Sequence, residues 1–393
     1  MLWTKGILLE YVRSALLRVP GLGSLANYVI PALLMFGFFL AYKTFSERVR
    51  GADFAFVAVC VVAYIAEYFL YPRNQPYFDV LFSDFVKCLP FYFVGIALRG
   101  DDKEIVSWMY RVSCVSICTF AFYRLFINQM ASIAQQGGDM YSSYSLLPHA
   151  CLSFYFLMKN FKWRRLVLFF LAAVCLLMMG TRGPILCLLV FMITTIILTI
   201  RSQKPLVVLG MVMLCLLLLF FGSLTDLLIE WSYSIADTFG LSTRVLDKML
   251  SGHIADSSGR IYIRKRILYY LAETRILGLG IYGDLFVSEG MYAHNLILEL
   301  WAHFGYYIGT LLVVALCVFI TRGAICCVKL KDENAKLIVF LLLCCCVKLL
   351  VSSSYLREPL LWALLGYTTA LLREKRTNIR DQRQNKITSK YIR

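Results

Sequence analysis

Uninterrupted apolar runs recur along this 393-residue chain, and they limit its fold more than any other feature. The runs are about 16 to 25 residues long, which suits helices that cross a membrane, whereas membrane β-strands show about ten residues of alternating polarity. The mean hydropathy of +0.70 and the 60% share of hydrophobic residues exceed what a water-soluble core can bury. The sequence therefore predicts an all-α, polytopic membrane protein.

We expect about 11 (11–12) transmembrane helices, because a helix satisfies its own backbone polar groups in hydrocarbon. One of them, at 145–158, is shorter than a membrane normally requires. The predicted spans are 24–42, 53–71, 79–98, 105–127, 145–158, 165–180, 184–200, 205–223, 292–321, 336–351 and 358–372.

The spans divide the chain around one long polar interruption. Residues 1–23 form an N-terminal segment whose charges recur at near-helical spacing, which is typical of an amphipathic helix at a membrane interface. Helices 1 to 8 then occupy 24–224, the long loop occupies 225–291, and helices 9 to 11 occupy 292–372. A basic tail, 373–393, ends the sequence.

Lysine and arginine concentrate in every second connection between the predicted spans. Positive loops face the cytoplasm, so the loop 225–291 is predicted on the extracytoplasmic side. The N-terminus would then lie outside despite its own positive charge, unless residues 1–20 also enter the membrane. The basic connections contain Lys43, Arg48 and Arg50, then Arg99 and Lys103, then Lys159, Lys162, Arg164 and Arg165, then Arg201 and Lys204, then Arg322, Lys329, Lys331 and Lys336, and finally the tail.

Composition also restricts the partners. The net charge of +16 is typical of positive-inside loops and contacts with anionic lipids, so membrane lipids are expected as partners and nucleic acid is not. The cysteines lie mostly inside apolar runs and the long loop contains none, which argues against disulfides or a metal cluster. The sequence has no HExxH, DxD or Walker motif and no GxGxxG followed by a soluble fold, so we expect no metal and no cofactor.

Arginines flank and enter the long loop. Arg182 lies in the junction Gly180-Thr181-Arg182-Gly183-Pro184, and Arg260, Arg264 and Arg266 lie close together within the loop. The guanidinium group can grip phosphate oxygens bidentately and can balance charge that develops on a diphosphate leaving group. Each arginine could instead anchor a helix end at the interface. A lipid-linked diphosphate would present its head group at this same face.

His294 follows the loop, at the start of the next apolar run. A neutral imidazole can accept a proton from an attacking hydroxyl or donate a hydrogen bond to a diphosphate. Asn295 and Glu299 are its candidate orienting neighbours, although Glu299 is not on the ideal same face of a helix. His303 lies deeper in the run and is expected to be a packed polar residue.

These motifs together resemble the O-antigen polymerase and O-antigen ligase superfamily of bacterial inner-membrane glycosyltransferases. The resemblance extends over about 130 residues, from 179 to 309, and depends on the order of the motifs around one outer loop. The matching pieces are Gly180-Thr181-Arg182-Gly183, Ser258-Gly259-Arg260, Leu277-Gly278-Leu279-Gly280 and the run from His294 to Gly305.

The resemblance implies an enzyme that acts on undecaprenyl-diphosphate-linked oligosaccharide without a metal or a nucleotide sugar. Arg182 and Arg260 would hold the diphosphate, with Arg264 and Arg266 as further binding residues, and His294 would activate the acceptor or orient the donor. The implied location is the bacterial plasma (inner) membrane with an extracytoplasmic active face, and the implied protein partner is a chain-length regulator.

Three functions remain open at this stage. A repeat-unit polymerase of O-antigen, capsule or exopolysaccharide is the first expectation, and a ligase that transfers finished glycan to lipid A–core or another acceptor is the second. Gly309 follows Gly305 by four positions where ligases often use three, which favours the polymerase. A lipid or polysaccharide transporter is the third, but the isolated charges Glu67, Lys87 and Lys348 form no recurring pattern.

Overall fold

The computed structural model describes residues 42–100, 102–122, 138–178, 182–199, 260–274, 277–329 and 332–391. Every regular element in these ranges is helical, and none of them contains a β-strand. The predicted all-α class is therefore confirmed. The N-terminal segment 1–23, the predicted span 205–223, almost all of the span 24–42 and the first part of the long loop lie outside the described residues.

The described ranges contain long and short helices in chain order. The helices are α1 (Tyr42–Arg48), α2 (Gly51–Leu70), α3 (Gln75–Leu98), α4 (Asp102–Phe122), α5 (Gly138–Lys159), α6 (Trp163–Met178), α7 (Arg182–Thr199), α8 (Arg260–Thr274), α9 (Gly283–Val287), α10 (Leu296–Lys329), α11 (Glu333–Cys346) and α12 (Pro359–Tyr391). Three 3-10 turns accompany them, at Pro72–Asn74, Val347–Leu350 and Tyr355–Arg357.

Four of the described helical segments are long and apolar enough to cross a membrane. They are Gly51–Leu70, Pro72–Leu98, Asp102–Phe122 and Leu296–Lys329. Along α2, large apolar side chains such as Val59 and Phe69 remain exposed, as expected of a surface that meets lipid. The number of spans, predicted as about eleven, stays a prediction.

Several predicted boundaries differ from the helices. The connection predicted at 128–144 is shorter, because α5 already begins at Gly138. Helix α10 begins at Leu296 rather than at residue 292 and extends to Lys329. Helix α12 continues through the predicted solvated tail to Tyr391, since lysine, arginine and glutamine are good helix formers as well as soluble residues. Hydropathy marks where a helix can enter lipid, not where it stops.

The chain divides into two compact units. Among the described residues, one unit contains most of α4 and helices α5 to α7. Helix α5 packs against α6 and α7 in this unit, and its buried His149 bonds through Nδ1 to the Ser113 hydroxyl of α4 at 2.9 Å. A histidine placed in an apolar run thus has a hydrogen-bond partner inside the helix layer.

The other unit contains residues 40–105 and 257–393, with α2, α3 and α8 to α12. Its most extensive packing joins α3 and α12. Two glycines allow this close approach, because a Cβ on Gly95 would collide with the backbone of Ala363 and one on Gly366 with the backbone carbonyl of Tyr92. Small residues at helix contacts are the usual means of close packing in membranes.

Ion pairs join charged residues at one end of this second unit. Arg99 bonds to Asp102, to Asp332 at 2.8 Å and to Glu374 at 2.8 Å. These ion pairs bring the connections after α3 and α10 and the start of the tail to one end, as the alternating basic connections predict. The remaining connections, 71–74, 277–295 and 350–357, meet one another elsewhere in this unit, where Asn74 donates to the backbone of Leu279 and Asn295 to that of Leu350.

Candidate active site

Helix α8 is the described helical part of the long loop's arginine-rich stretch. Its apolar stripe, formed by Ile263, Ile267 and Leu271, is buried against Leu298 and Ala302 of α10 and their neighbours. In the described structure this stripe is therefore covered by protein. An amphipathic stripe can be covered by lipid or by protein, and the sequence pattern is the same in both cases.

The packing of α8 separates the loop arginines. Arg266 bonds to the carboxylate of Glu289 at 2.7 Å and to the Tyr262 hydroxyl at 2.7 Å. Arg260, the first residue of α8, is exposed and contributes a positive charge at His294. Arg264 is exposed on the next turn of the helix. Arg260 is thus the loop arginine that the structure associates with the predicted histidine.

A tight turn presents His294 just ahead of α10. The backbone of His294 has φ of +55°, in the left-handed region that a non-glycine residue adopts at a cost. The ring lies on Tyr292, with 3.8 Å between the ring centroids. The His294 Nδ1 is buried and has no hydrogen-bond partner among the described residues, so Nε2 is the nitrogen left for a reacting group.

The charge state of His294 follows from its surroundings. Burial of the imidazole, together with the positive charge of Arg260, lowers the pKa of His294 to about 4, although Asp284 opposes this effect. The ring is therefore uncharged at neutral pH. An uncharged imidazole can accept a proton from a hydroxyl, or donate one hydrogen bond, according to its tautomer.

The two predicted orienting residues hold the polypeptide around His294. Asn295 caps α10, since its side-chain oxygen accepts from the amides of Ile297 and Leu298 at 3.0 and 3.1 Å, and its Nδ2 donates to the Leu350 carbonyl. Glu299 is buried and accepts from the Ser354 hydroxyl and, at 3.3 Å, from the Tyr355 amide. Both therefore tie the start of α10 to the segment 350–355.

Helix α10 is broken at Gly305, nine residues after its first residue, Leu296. Gly305 has φ of +78° and ψ of 170°, which only glycine adopts readily. The break frees carbonyl groups that would otherwise accept within the helix. The carbonyls of Ala302 and His303 accept instead from the amides of Leu279, at 2.7 Å, and Gly280, at 3.1 Å. The Leu-Gly-Leu-Gly stretch therefore completes a broken helix.

Polar side chains from α2 and from the turn that follows it hold this same stretch. The Glu67 carboxylate accepts from the Ile281 amide at 3.0 Å. Asn74 donates to the carbonyls of Leu279 and Ile281, both at 2.9 Å, and the Tyr71 hydroxyl donates to that of Leu277 at 3.1 Å. The irregular backbone of residues 277–281 is thus bonded to protein groups, which is the condition for such backbone beside a membrane.

Asp284, His303 and Tyr355 form a buried network that sequence reasoning did not identify. Asp284 Oδ1 lies 3.0 Å from His303 Nε2, and the His303 Nδ1 lies 3.0 Å from the Tyr355 hydroxyl. The second oxygen of Asp284 accepts from the Ala293 amide at 2.8 Å. No spacing rule connects these residues, because 19 and 52 positions separate them from His303. The one sequence feature that could have indicated this network is Asp284, an aspartate in an otherwise apolar stretch.

Asp284, Glu299 and His303 also offer donor atoms within 4.8 Å of one another, as a metal site would require. Each of the three already bonds to protein groups. The Glu299 oxygens accept hydrogen bonds from the Ser354 hydroxyl and from the Tyr355 amide. Because hydrogen bonds already use these atoms, the arrangement favours a polar network over a cation site.

Arg182 lies in the other unit, where it is the first residue of α7. Its predicted partnership with Arg260 and His294 stays a prediction. The neighbouring Gly183 has no room for a side chain, because an added Cβ would meet the hydroxyl of Tyr144. The structure thus gives a packing reason for the glycine that follows Arg182.

The fold and the site define a helical membrane protein in which a neutral histidine begins an apolar helix beside an arginine-bearing loop helix. Residues 167–314 match the family model described as O-Antigen ligase. This match confirms the resemblance to the O-antigen ligase and polymerase superfamily, and it supports a function of that general type. A search of the curated proteins gave no match.

The matched range contains every residue predicted for the site, from Arg182 to Glu299. It also contains Asp284 and His303, the two network residues found only in the structure. Tyr355, which completes the network, lies beyond it. The site therefore combines residues of the family region with a segment close to the last helix.

Proposed function

We propose that this protein is a polysaccharide repeat-unit polymerase of the extracytoplasmic face of the bacterial inner membrane. It transfers glycan from an undecaprenyl-diphosphate donor to the next lipid-linked repeat unit. The observation that carries the proposal is the neutral His294, presented at the head of α10 under the influence of Arg260, inside the range that matches the O-antigen ligase family model.

The chemistry follows from these groups. A hydroxyl of the acceptor unit attacks the anomeric carbon of the donor, and the bond from that carbon to the diphosphate oxygen breaks. His294 Nε2 accepts the hydroxyl proton, and the diphosphate leaves with the bonding electron pair. Arg260 and Arg182, with Arg264 and Arg266 as further binding residues, balance the charge on the leaving group. In this scheme arginine supplies the positive charge, and the transfer needs no metal ion.

The spacing of two glycines favours a polymerase over a ligase. Gly305 forms the break in α10, and Gly309 follows four positions later in the second half of the helix. A Cβ on Gly309 would lie 2.6 Å from the Leu300 carbonyl, so the position packs against the first half. Ligases often place the second small residue three positions after the first. A chain-length regulator is the expected protein partner of a polymerase.

The second candidate is a ligase that transfers finished glycan to lipid A–core or another acceptor. The matching family model supports a function of the O-antigen ligase and polymerase type in general, so this candidate stays open. Both reactions use the same donor chemistry and differ in the acceptor.

Transport of a lipid or polysaccharide has less support. The three charges that could have lined a path each have a local partner: Glu67 accepts from the Ile281 amide, Lys87 lies 3.6 Å from Asp84, and Lys348 pairs with Glu358. Charges that are satisfied locally do not form a continuous polar path.

The deciding experiment is the glycan profile of a deletion strain, with lipid-linked and surface glycan resolved on one gel. A single repeat unit on the acceptor without a ladder supports the polymerase. Long polymer retained on undecaprenyl diphosphate, with bare acceptor, supports the ligase. A profile identical to the parent strain would rule out both activities, and restoration by the wild-type gene is the control.

A further inference from the structure

Among the hydrogen bonds of the described residues, only the Asp284 side chain connects the buried network of Asp284, His303 and Tyr355 to the turn of His294. Its carboxylate is 1% exposed, and each oxygen has one partner. Oδ2 accepts from the amide of Ala293, the residue immediately before His294, at 2.8 Å. Oδ1 lies 3.0 Å from His303 Nε2. The carboxylate thus joins the turn to the interior of α10.

His303 is bonded through both ring nitrogens. Its Nε2 lies 3.0 Å from Asp284 Oδ1 and 3.3 Å from the Tyr282 amide nitrogen, and its Nδ1 lies 3.0 Å from the Tyr355 hydroxyl. A buried carboxylate with two fixed partners cannot turn toward other groups without leaving one of them unpaired. Asp284 is therefore a rigid support.

The turn requires such a support. His294 adopts a left-handed backbone conformation that costs free energy, and a strained residue persists only when its surroundings fix it. On the other side of the turn, the Tyr292 hydroxyl accepts from the Ser353 amide at 3.4 Å and lies 3.3 Å from the Ser352 hydroxyl. Ala293 lies between Tyr292 and His294, and among the described side chains only that of Asp284 bonds to its backbone.

We propose that Asp284 is the positioning residue of the site, since its bond to the Ala293 amide fixes the strained turn that presents His294 to the acceptor. The inference rests on the role proposed for His294. It assigns to Asp284 no contact with substrate. It also gives the buried pair of Asp284 and His303 a function beyond packing.

The test compares Asp284→Asn with Glu67→Gln in the full-length protein in membranes. Glu67 is the matched control, because its carboxylate also accepts one backbone amide of the same segment, that of Ile281, but does not contact the turn. Diethyl pyrocarbonate modifies accessible neutral imidazoles, and mass spectrometry of the peptide reports His294 separately from the buried His303. The kcat and KM of glycan transfer are measured alongside.

We expect Asp284→Asn to raise the modification rate of His294 at neutral pH about fivefold, as expected when a charge-assisted hydrogen bond becomes a neutral one. We expect kcat to fall while KM stays unchanged, and Glu67→Gln to leave both readouts at wild-type values. If Asp284→Asn does not accumulate, Tyr355→Phe tests the same network with a smaller expected rise. An unchanged His294 rate in both network variants, or an equal change in the Glu67 control, would overturn the proposal.

His294→Ala separates this inference from the proposed function. Normal polymer from that variant would refute the catalytic role of His294, whatever Asp284 does to the turn. Loss of polymer in His294→Ala, with an unchanged modification rate in Asp284→Asn, would keep the proposed function and refute the positioning role.

Discussion

The two histidines of the α10 region have opposite environments. His294 lies in a strained turn, with Nδ1 unpartnered and Nε2 free of protein hydrogen bonds among the described residues. His303, nine positions later, is 1% exposed and bonded through both ring nitrogens. The same residue type thus has an unpartnered ring nitrogen in one place and connects buried groups in the other.

The difference shows how a membrane protein can keep one polar group available. Hydrogen bonds occupy both ring nitrogens of His303, whereas the turn holds His294 through its backbone and leaves its Nδ1 without a partner. A reactive imidazole needs a fixed position without occupied nitrogens. Substitutions at the two sites should therefore change different observables.

The largest effect is expected from His294→Ala. If the imidazole accepts the acceptor proton, its loss should reduce glycan transfer about 100-fold or more, because general base catalysis contributes at least that much. The ladder on a gel and the initial rate with lipid-linked donor measure it. Membrane abundance should match the wild type, and a full ladder from this variant would contradict the assignment.

Arg260→Gln should have the next largest effect on transfer. A positive charge that stabilises the leaving diphosphate is worth about 10-fold to 1000-fold in rate, whereas glutamine keeps only hydrogen bonding. Arg266→Gln in the same helix is the comparison and should reduce transfer less, because the Arg266 guanidinium is already bonded to Glu289 and Tyr262. Equal losses in the two variants would show that Arg266 contributes as much as Arg260.

His303→Ala should lower stability instead of specific activity. The substitution leaves the Oδ1 atom of Asp284 and the Tyr355 hydroxyl without the partner they have in His303, which costs about 1 to 3 kcal/mol for each unpaired group. The thermal unfolding midpoint in detergent should fall clearly, while the activity per folded molecule falls less than in His294→Ala. A wild-type midpoint would show that the network contributes nothing to folding.

Gly305→Ala tests the break that exposes the carbonyls of α10. Alanine at φ of +78° and ψ of 170° is strained, at a cost of about 1 to 3 kcal/mol. Gly51→Ala is the control, because an added Cβ there meets nothing within 4 Å. The unfolding midpoints of the two variants measure the difference, and a neutral Gly305→Ala would argue against a required break.

The smallest effect concerns pH. Burial and Arg260 lower the pKa of His294 to about 4 in the folded protein, below the ordinary value of 6.5. The unfolded chain therefore binds the proton first, so stability decreases as the pH falls from about 6.5 toward 4 and is unaffected above that window. The unfolding midpoint of His294→Asn should show less of this loss than the wild type. Identical pH curves would refute the lowered pKa.

Sequence and structure contribute differently to the other site residues. The position of Asn295, directly before an apolar run, predicts proximity to His294, and the structure makes it the cap of α10. Glu299 is predicted as a second orienting neighbour, and the structure shows that its carboxylate bonds to Ser354 and Tyr355 of another segment. Local spacing predicts neighbours along one helix, and it does not predict partners from another segment.

The sequence by itself determined the all-α membrane class, because long apolar runs permit only helices in hydrocarbon, and it predicted a role for His294, because few residue types carry this chemistry. Only the tertiary structure decided that α8 buries its apolar stripe against α10 and that Asp284, His303 and Tyr355 meet. The physical reason is that hydropathy and helical periodicity act over a few turns. Contacts between residues 19 and 52 positions apart depend on how the helices pack.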